Sequence, residues 1–505
     1  MTGATRRAGV LLHPTSLPGR WGVGDLGPGA DAFLSWISAA GQSVWQVLPL
    51  CAIGPSHSPY VGLSTFAGNP WLVSPERLVD EGLLDPAALE SAPGFPDGHT
   101  AFVRALPYKA SLLKGAWRQF RRRGSAELRR DLEAFRGSPD QAGWLEDWAL
   151  FMALRMRHRG RPWTEWPYDL RKRSAGALRR ARCDLADEIA YQEFLQFLFF
   201  RQWHRIKSEA NRRGIQVMGD LPIYVAHDSA DVWANPRFFD LGPDGLPVSV
   251  AGVPPDYFSE TGQLWGNPLY RWDRLAEDGY AWWVERMRSN LRLADLIRLD
   301  HFRAFAAYWA IPAEEPTAVK GRWIPGPGRA LFDAIGSALG KLPMVAEDLG
   351  LITPDVHELR LALGLPGMRV LQFAFDGSDN EHLPARNPED SVVYTGTHDN
   401  DTTRGWFDSL DEGLRRVVVE CVGTREGSIE WDMIRAAYGS AARLAVIPMQ
   451  DVLGLGTEAR MNTPGRPEDN WTWRAAAGSF EEAPAERLAR LAGEYGRRPG
   501  GKLAD

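Results

Sequence analysis

The sequence predicts an α/β protein, a (β/α)8 TIM barrel with a large, mainly helical insertion between strands two and three and further loop insertions at its C-terminal face. Three observations predict it. Eight short β-rich runs recur along 505 residues, each followed by turn residues and then helical periodicity, the alternation of parallel strands joined by crossover helices. The alternation lapses once, over about 52–183, where Pro/Gly-rich loops and amphipathic helices run without a clear strand. Acidic residues also sit at the ends of several runs, the face on which a barrel gathers its functional groups.

The elements follow in order. Residues 9–13 (GVLLH) make the first strand, 31–40 a helix stopped by Gly41, and 43–48 (SVWQVL) the second strand, closed by Pro49. The insertion contains a basic run, 118–130, read as a solvated helix face. Regularity returns with a long helix whose apolar stripe includes Leu185, Ile189, Phe194, Leu198 and Trp203, with Asp184 as its cap and Gly214 as its stop. Strand three is 215–219 (IQVMG), running into Asp220. A long polar loop and a helix over 281–291 precede strand four, 295–299 (DLIRL), which runs into Asp300. Strand five, 343–346, leads to Glu347; Thr353 and Pro354 then open a helix that Gly364 ends. Strands six to eight are 368–373, 391–395 and 443–448. The expected organisation is a single catalytic barrel domain over 1–505, with 52–183 as an inserted subdomain.

Bulk properties narrow the function. The net charge of −6 gives no basic excess to neutralise a phosphate backbone, so nucleic acid is not an expected partner. Cys51, Cys183 and Cys421 form no CxxC pair, which argues against a disulfide scaffold or a thiolate metal site and favours a reducing, cytoplasmic setting. The apolar run near the start, 8–12, is too short for a secretion signal, and no run of about 18 apolar residues suggests a membrane span. Most of the 21 tryptophans are expected in the core; the others offer flat faces for sugar rings.

The acids point to chemistry. Asp220, Asp300, Glu347 and Asp399 fall at the ends of strands three, four, five and seven, with Arg298 and His398 beside two of them. Glycosyl transfer needs such a set: one carboxylate to attack or stabilise a sugar-ring cation, one carboxylic acid to protonate the leaving oxygen, and a further acid to bind ring hydroxyls. A metal site is the competing explanation, but the motifs lack His-x-x-x-His or Asp-x-Asp spacing. No metal and no cofactor is therefore expected.

Four blocks carry a family resemblance: GDLPIYVAHDSADVW (219–233), RLDHFR (298–303), AEDLG (346–350) and GTHDND (396–401). Further blocks agree with them: GVLLHPTSLPG (9–19), SPY with FAGNP (58–60, 66–70), PPDYFSETGQLWGNPLYRW (254–272), and RMNTPG with NWTWR (460–465, 470–474). Together they resemble the 4-α-glucanotransferases known as amylomaltases or disproportionating enzymes, relatives of the α-amylase group. The resemblance implies retaining transfer of α-1,4-glucan segments from maltooligosaccharide or starch donors to the 4-hydroxyl of glucose or glucan acceptors, with cyclic glucans as possible products. It implies Asp300 as nucleophile, Glu347 as acid/base and Asp399 as the residue that grips the distorted sugar. Arg298 would orient Asp300, Tyr60 would stack on the donor ring, and Asp220, His398 and Asn462 would bind near it. In the loop expected to arch over the cleft, Tyr257, Phe258 and Trp265 would pack on sugars while Gln263 and Asn267 bond hydroxyls. A retaining pair should hold the Asp300 and Glu347 carboxyls about 5–5.5 Å apart, against about 6.5–9.5 Å for an inverting pair. One stretch departs from the family pattern. Residues 51–57 (CAIGPSH) keep the loop's length but not its chemistry, with Pro55 where some members carry an aromatic residue that binds glucan away from the active site. The resemblance therefore does not extend to remote binding at that loop, although Tyr108 remains a candidate for such a surface.

Overall fold

The computed structural model describes residues 6–255, 259–377, 379–466 and 468–498. Twelve strands run in chain order: β1 (Arg7–Leu11), β2 (Val44–Gln46), β3 (Gln216–Pro222), β4 (Ser249–Val253), β5 (Gln263–Pro268), β6 (Leu296–Asp300), β7 (Ala307–Pro312), β8 (Arg322–Pro325), β9 (Met344–Ala346), β10 (Gly367–Val370), β11 (Ser391–Tyr394) and β12 (Leu444–Pro448). Eight of them form one parallel sheet in the order β10-β11-β12-β1-β2-β3-β6-β9, so the first and last strands of the chain lie side by side within it. These eight are the eight strands read from the sequence, and the sheet curls into the expected (β/α)8 barrel.

The barrel closes through one backbone hydrogen bond and one side chain. Between β9 and β10 no ladder forms among the described residues. The Ala346 N–H donates to the Pro366 carbonyl at 2.9 Å, and the Asp348 carboxylate takes the Met368 N–H at 2.7 Å. Gly367 makes room for this bridge: a Cβ there would meet an Asp348 carboxylate oxygen at 2.4 Å. Asp348 is almost fully buried and also faces Arg360 at 3.1 Å.

Helices cover the barrel. The longest, Ala186–Arg212, buries Phe194, Leu198, Phe199 and Trp203, with Trp203 packed 5.9 Å from Trp45 of β2. Gly214, at φ +74°, ends it as the sequence implied. Asp184 does not cap it. The preceding helix, Ala175–Asp184, runs into the predicted cap, and Leu185 stands between the two helices. Thr353 does precede the helix Pro354–Ala362, but its hydroxyl accepts from Arg303 rather than capping the helix N-terminus. No α-helix joins β10 to β11 among the described residues; 3-10 turns at Leu371–Phe373 and Pro384–Arg386 serve there.

Between β2 and the long helix Ala186–Arg212 the chain is mainly helical, its largest piece being Phe102–Arg123. The arginines of the 118–130 run lie exposed, as expected of a solvated face. A buried ion pair, Lys109 to Asp25 at 2.9 Å, ties this insertion to the loop after β1. The sequence did not reveal a second sheet. β4, β5, β7 and β8 form an antiparallel sheet in the order β5-β4-β7-β8, built from the loops that leave β3 and β6. What read as long polar loops is thus ordered structure beside the barrel mouth. No described helix is long and apolar enough to cross a membrane.

Candidate active site

The site begins with strand register. β3 and β6 pair so that Asp220 lies opposite Arg298, and Asp300, two residues further along β6, shares the face of Arg298. β3 runs to Pro222, so Asp220 lies within the strand rather than beyond it. Arg298 Nη1 stands 2.9 and 2.7 Å from the two Asp220 oxygens and 2.9 Å from Asp300. The Tyr60 hydroxyl donates to Asp220 at 2.8 Å. Both Asp220 oxygens are therefore engaged by protein, and the side chain is fully buried, whereas Asp300 keeps about a quarter of its surface open, at 27% exposed. Burial opposes the Arg298 charge, but Asp220 and Asp300 outweigh it and drive the guanidinium well above its ordinary range. Burial raises the Asp220 carboxyl to about 7, with Arg298 opposing and Asp300 adding to the rise.

Glu347 follows β9, the neighbour of β6. Its Oε2 accepts the His301 N–H at 2.7 Å and its Oε1 the Leu349 N–H at 3.0 Å. Burial raises this carboxyl to about 8; Arg298 draws it down and Asp300 pushes it up, and the two N–H groups favour the ionised form. Burial thus favours the protonated form of Glu347 beside the more open Asp300 carboxyl.

The opposite wall comes from the segment after β11. Asp399 Oδ1 accepts the Asn462 amide at 2.6 Å and lies 3.4 Å from His398 Nε2, and Arg460 holds the Asp399 carbonyl at 2.7 Å. Burial lowers the His398 imidazole and so favours its neutral form, with Asp399 opposing. The Tyr60 ring stacks on His398 at 4.9 Å and 10°, and Trp471 lies within 5.8 Å of Tyr60 and 5.9 Å of His398. On the antiparallel sheet, Trp265 is 37% exposed, bonds Gln263 through its indole N–H at 3.1 Å and meets the His301 ring edge-on at 4.7 Å. Asn267 donates to the Val225 carbonyl at 2.9 Å. Tyr257 and Phe258 lie outside the described residues.

The structure thus gathers Tyr60, Asp220, Arg298, Asp300 and Glu347 at one end of the barrel, and joins His398, Asp399 and Asn462 to them through Tyr60. Trp471, His301 and Arg460 belong to the same constellation and were not singled out from sequence. Trp471 sits in the NWTWR block, but its backbone at φ +65°, which turns it toward Tyr60, leaves no mark in composition or periodicity.

Known proteins give an independent answer. The chain matches the 4-alpha-glucanotransferase family over residues 12–479. It is 50% identical to the 4-alpha-glucanotransferase of Thermus thermophilus, across 96% of this chain and 98% of that protein. It is 48% identical to that of Synechocystis, across 98% of both. The amylomaltase from Streptococcus agalactiae in complex with acarbose superposes with a TM-score of 0.94 at 34% identity, covering 98% of this chain and all of that one. The amylomaltase of Corynebacterium glutamicum, at 19% identity and TM-score 0.79, shares the fold. The chain belongs to the 4-alpha-glucanotransferase family and is a glycosyl-transferring enzyme.

Proposed function

We propose that this enzyme transfers α-1,4-glucan segments between maltooligosaccharides or starch chains through a covalent glycosyl-enzyme on Asp300. An Asp300 oxygen attacks the anomeric carbon while the bond to the leaving O4 breaks, and Glu347 gives its proton to that oxygen. The ester consumes the Asp300 charge, which removes a repulsion that kept Glu347 protonated. Glu347 is then fit to take the proton of an incoming 4-hydroxyl, whose oxygen displaces Asp300. Asp399, fixed by Asn462, grips the hydroxyls of the distorted donor; Tyr60, His398 and Asp220 shape its pocket through Arg298 and one another. Trp265, Gln263, Asn267, Tyr257 and Phe258 form an acceptor platform that favours a sugar over water.

The observation that carries this reading is the pairing of an open Asp300, ion-paired to Arg298, with a Glu347 raised by burial on the adjacent strand. In this reading the chain is one catalytic domain with 52–183 as an inserted subdomain, works in the cytoplasm and needs no cofactor. Intramolecular transfer yields cyclic glucans. The test is incubation with maltotriose, wild type beside Asp300→Asn, with products separated by size. Glucose together with a ladder of longer chains from wild type alone supports it. Glucose and maltose without a ladder would turn the reading to hydrolysis, and an equally active variant would remove Asp300 from the reaction.

A further inference from the structure

His301 stands between the two reacting carboxyls in the chain and adopts φ +53° and ψ +50°, the left-handed region that a residue with a Cβ seldom enters. The conformation has a visible outcome. It turns the chain sharply after Asp300, the last residue of β6, so that the His301 N–H meets Glu347 Oε2 at 2.7 Å and the next N–H, that of Phe302, meets the Glu347 carbonyl at 3.1 Å. The His301 amide lies in the peptide that leaves Asp300; the left-handed φ and ψ at 301 fold the following peptide back so that both amides reach Glu347 together, and a β-region residue at 301 would carry the strand onward and break one bond or the other. The turn is also held from outside. The half-buried His301 ring packs edge-on against Trp265, the Phe302–Phe305 turn follows directly, and Arg303 lies over the Trp323 ring at 3.8 Å.

We propose that His301 is a positioning residue for Glu347: its left-handed backbone lets two successive amides reach Glu347 at once, one at a carboxyl oxygen and one at the carbonyl, and so sets both the acid's orientation and the pH at which it gives up its proton. The proposal rests on reading Glu347 as the acid/base. A hydrogen bond to the ionised form favours that form, so the His301 amide opposes the upward push of burial. The charged groups that face Glu347 from the neighbouring strand are Arg298 and Asp300. Asp348, beside it in the chain, is turned to Arg360 and the Met368 amide. The His301 imidazole is itself pushed down to about 4 by burial and is neutral in the working range, so it adds no charge of its own. The paired amides are thus the adjustable element, and their simultaneous fit to Glu347 depends on which residue types tolerate φ +53° at 301.

This dependence separates a backbone role from a side-chain one. His301→Gly removes the ring but favours the left-handed conformation, and His301→Asn tolerates it; His301→Val, β-branched, resists it. The measurement is the pH profile of kcat/KM for transfer from maltotriose, with thermal unfolding to establish that each variant is folded, and His301→Ala as the milder substitute should the valine variant not fold. Loss of the amide raises the Glu347 carboxyl. The basic limb, on which a protonated acid is lost, then moves to higher pH by about half to one unit in the valine variant, with kcat down about tenfold. Glycine and asparagine keep the wild-type limb, whatever the lost ring does to KM. A valine limb that does not move, or glycine and valine limbs that move alike, overturns the proposal. Glu347→Gln serves as the control: an inactive Glu347→Gln beside an unmoved valine limb discards only the role of His301, whereas a fully active one removes the acid/base reading and this proposal with it.

Discussion

The two sheets of this molecule are made by opposite rules. Every residue of β2, β9, β10, β11 and β12 is buried, because the barrel interior lies on one side and the helices on the other. The antiparallel sheet is half open: three consecutive residues of β5 and three of the four in β8 are exposed, with Leu264, Trp265 and Trp323 among them. The barrel keeps the carboxyls where the strands put them. The open sheet presents rings and amides to whatever enters the cleft. Precision in one and access in the other is a division suited to an enzyme that must fix its reacting groups while exchanging glucan partners.

Four experiments sharpen or break that contrast. The largest effect is expected on the barrel side of the site, where Asp300→Asn or Glu347→Gln lowers transfer by about 10⁴-fold or more, read as product formed per enzyme, with the melting temperature little changed. Next comes the seam. Asp348→Ala strands Arg360 and frees the Met368 amide, and it should cost about 3–5 kcal/mol in denaturant unfolding. A loss under 1 kcal/mol would show that the barrel does not depend on this bridge. A matched pair of leucines follows: Leu299→Ala in β6, 1% exposed, should cost about 2–5 kcal/mol, and Leu264→Ala in β5, 42% exposed, about 0.5 kcal/mol or less. Equal costs would erase the difference between the sheets. The smallest structural effect but a clear functional one belongs to Trp265→Ala. It should leave stability within about 0.5 kcal/mol and raise the ratio of glucose released to glucan transferred several-fold. An unchanged ratio would remove this ring from the acceptor platform.

The pH dependence follows from the same geometry. In the proposed mechanism Glu347 must be protonated to act as acid, and burial raises its carboxyl to about 8. Activity should therefore persist through neutral pH and fall as pH rises past about 8, read as the basic limb of kcat/KM.

The contrast also explains what the sequence made legible. Strands buried on both faces read as short apolar runs, so all eight barrel strands could be placed, and the acids at their ends with them. β5, exposed over half its length, and β8, exposed over most of it, look like polar loop, and the hairpins that pair them with β4 and β7 come from separate loops, one after β3 and one after β6. Asp184 misled for a local reason: two helices meet there with only Leu185 between them, so an acid suited to a cap serves as the last residue of the first helix instead. The links to Trp471 and His301 depend on positive φ angles, which a pattern of residue types does not encode. Tyr60 and Asn462 came from the family blocks rather than from periodicity, since each lies in irregular chain far from the strands it serves.

The Asp348 bridge has a consequence for hydrogen exchange. Elsewhere in the barrel a strand is released only when a ladder opens, but at β9 and β10 rotation of one side chain frees the Met368 amide to water. That amide is expected to exchange sooner than its neighbours, through a local opening that leaves the remaining strands paired. The opening begins one residue from Glu347, so the weakest join in the wall adjoins the proposed acid/base.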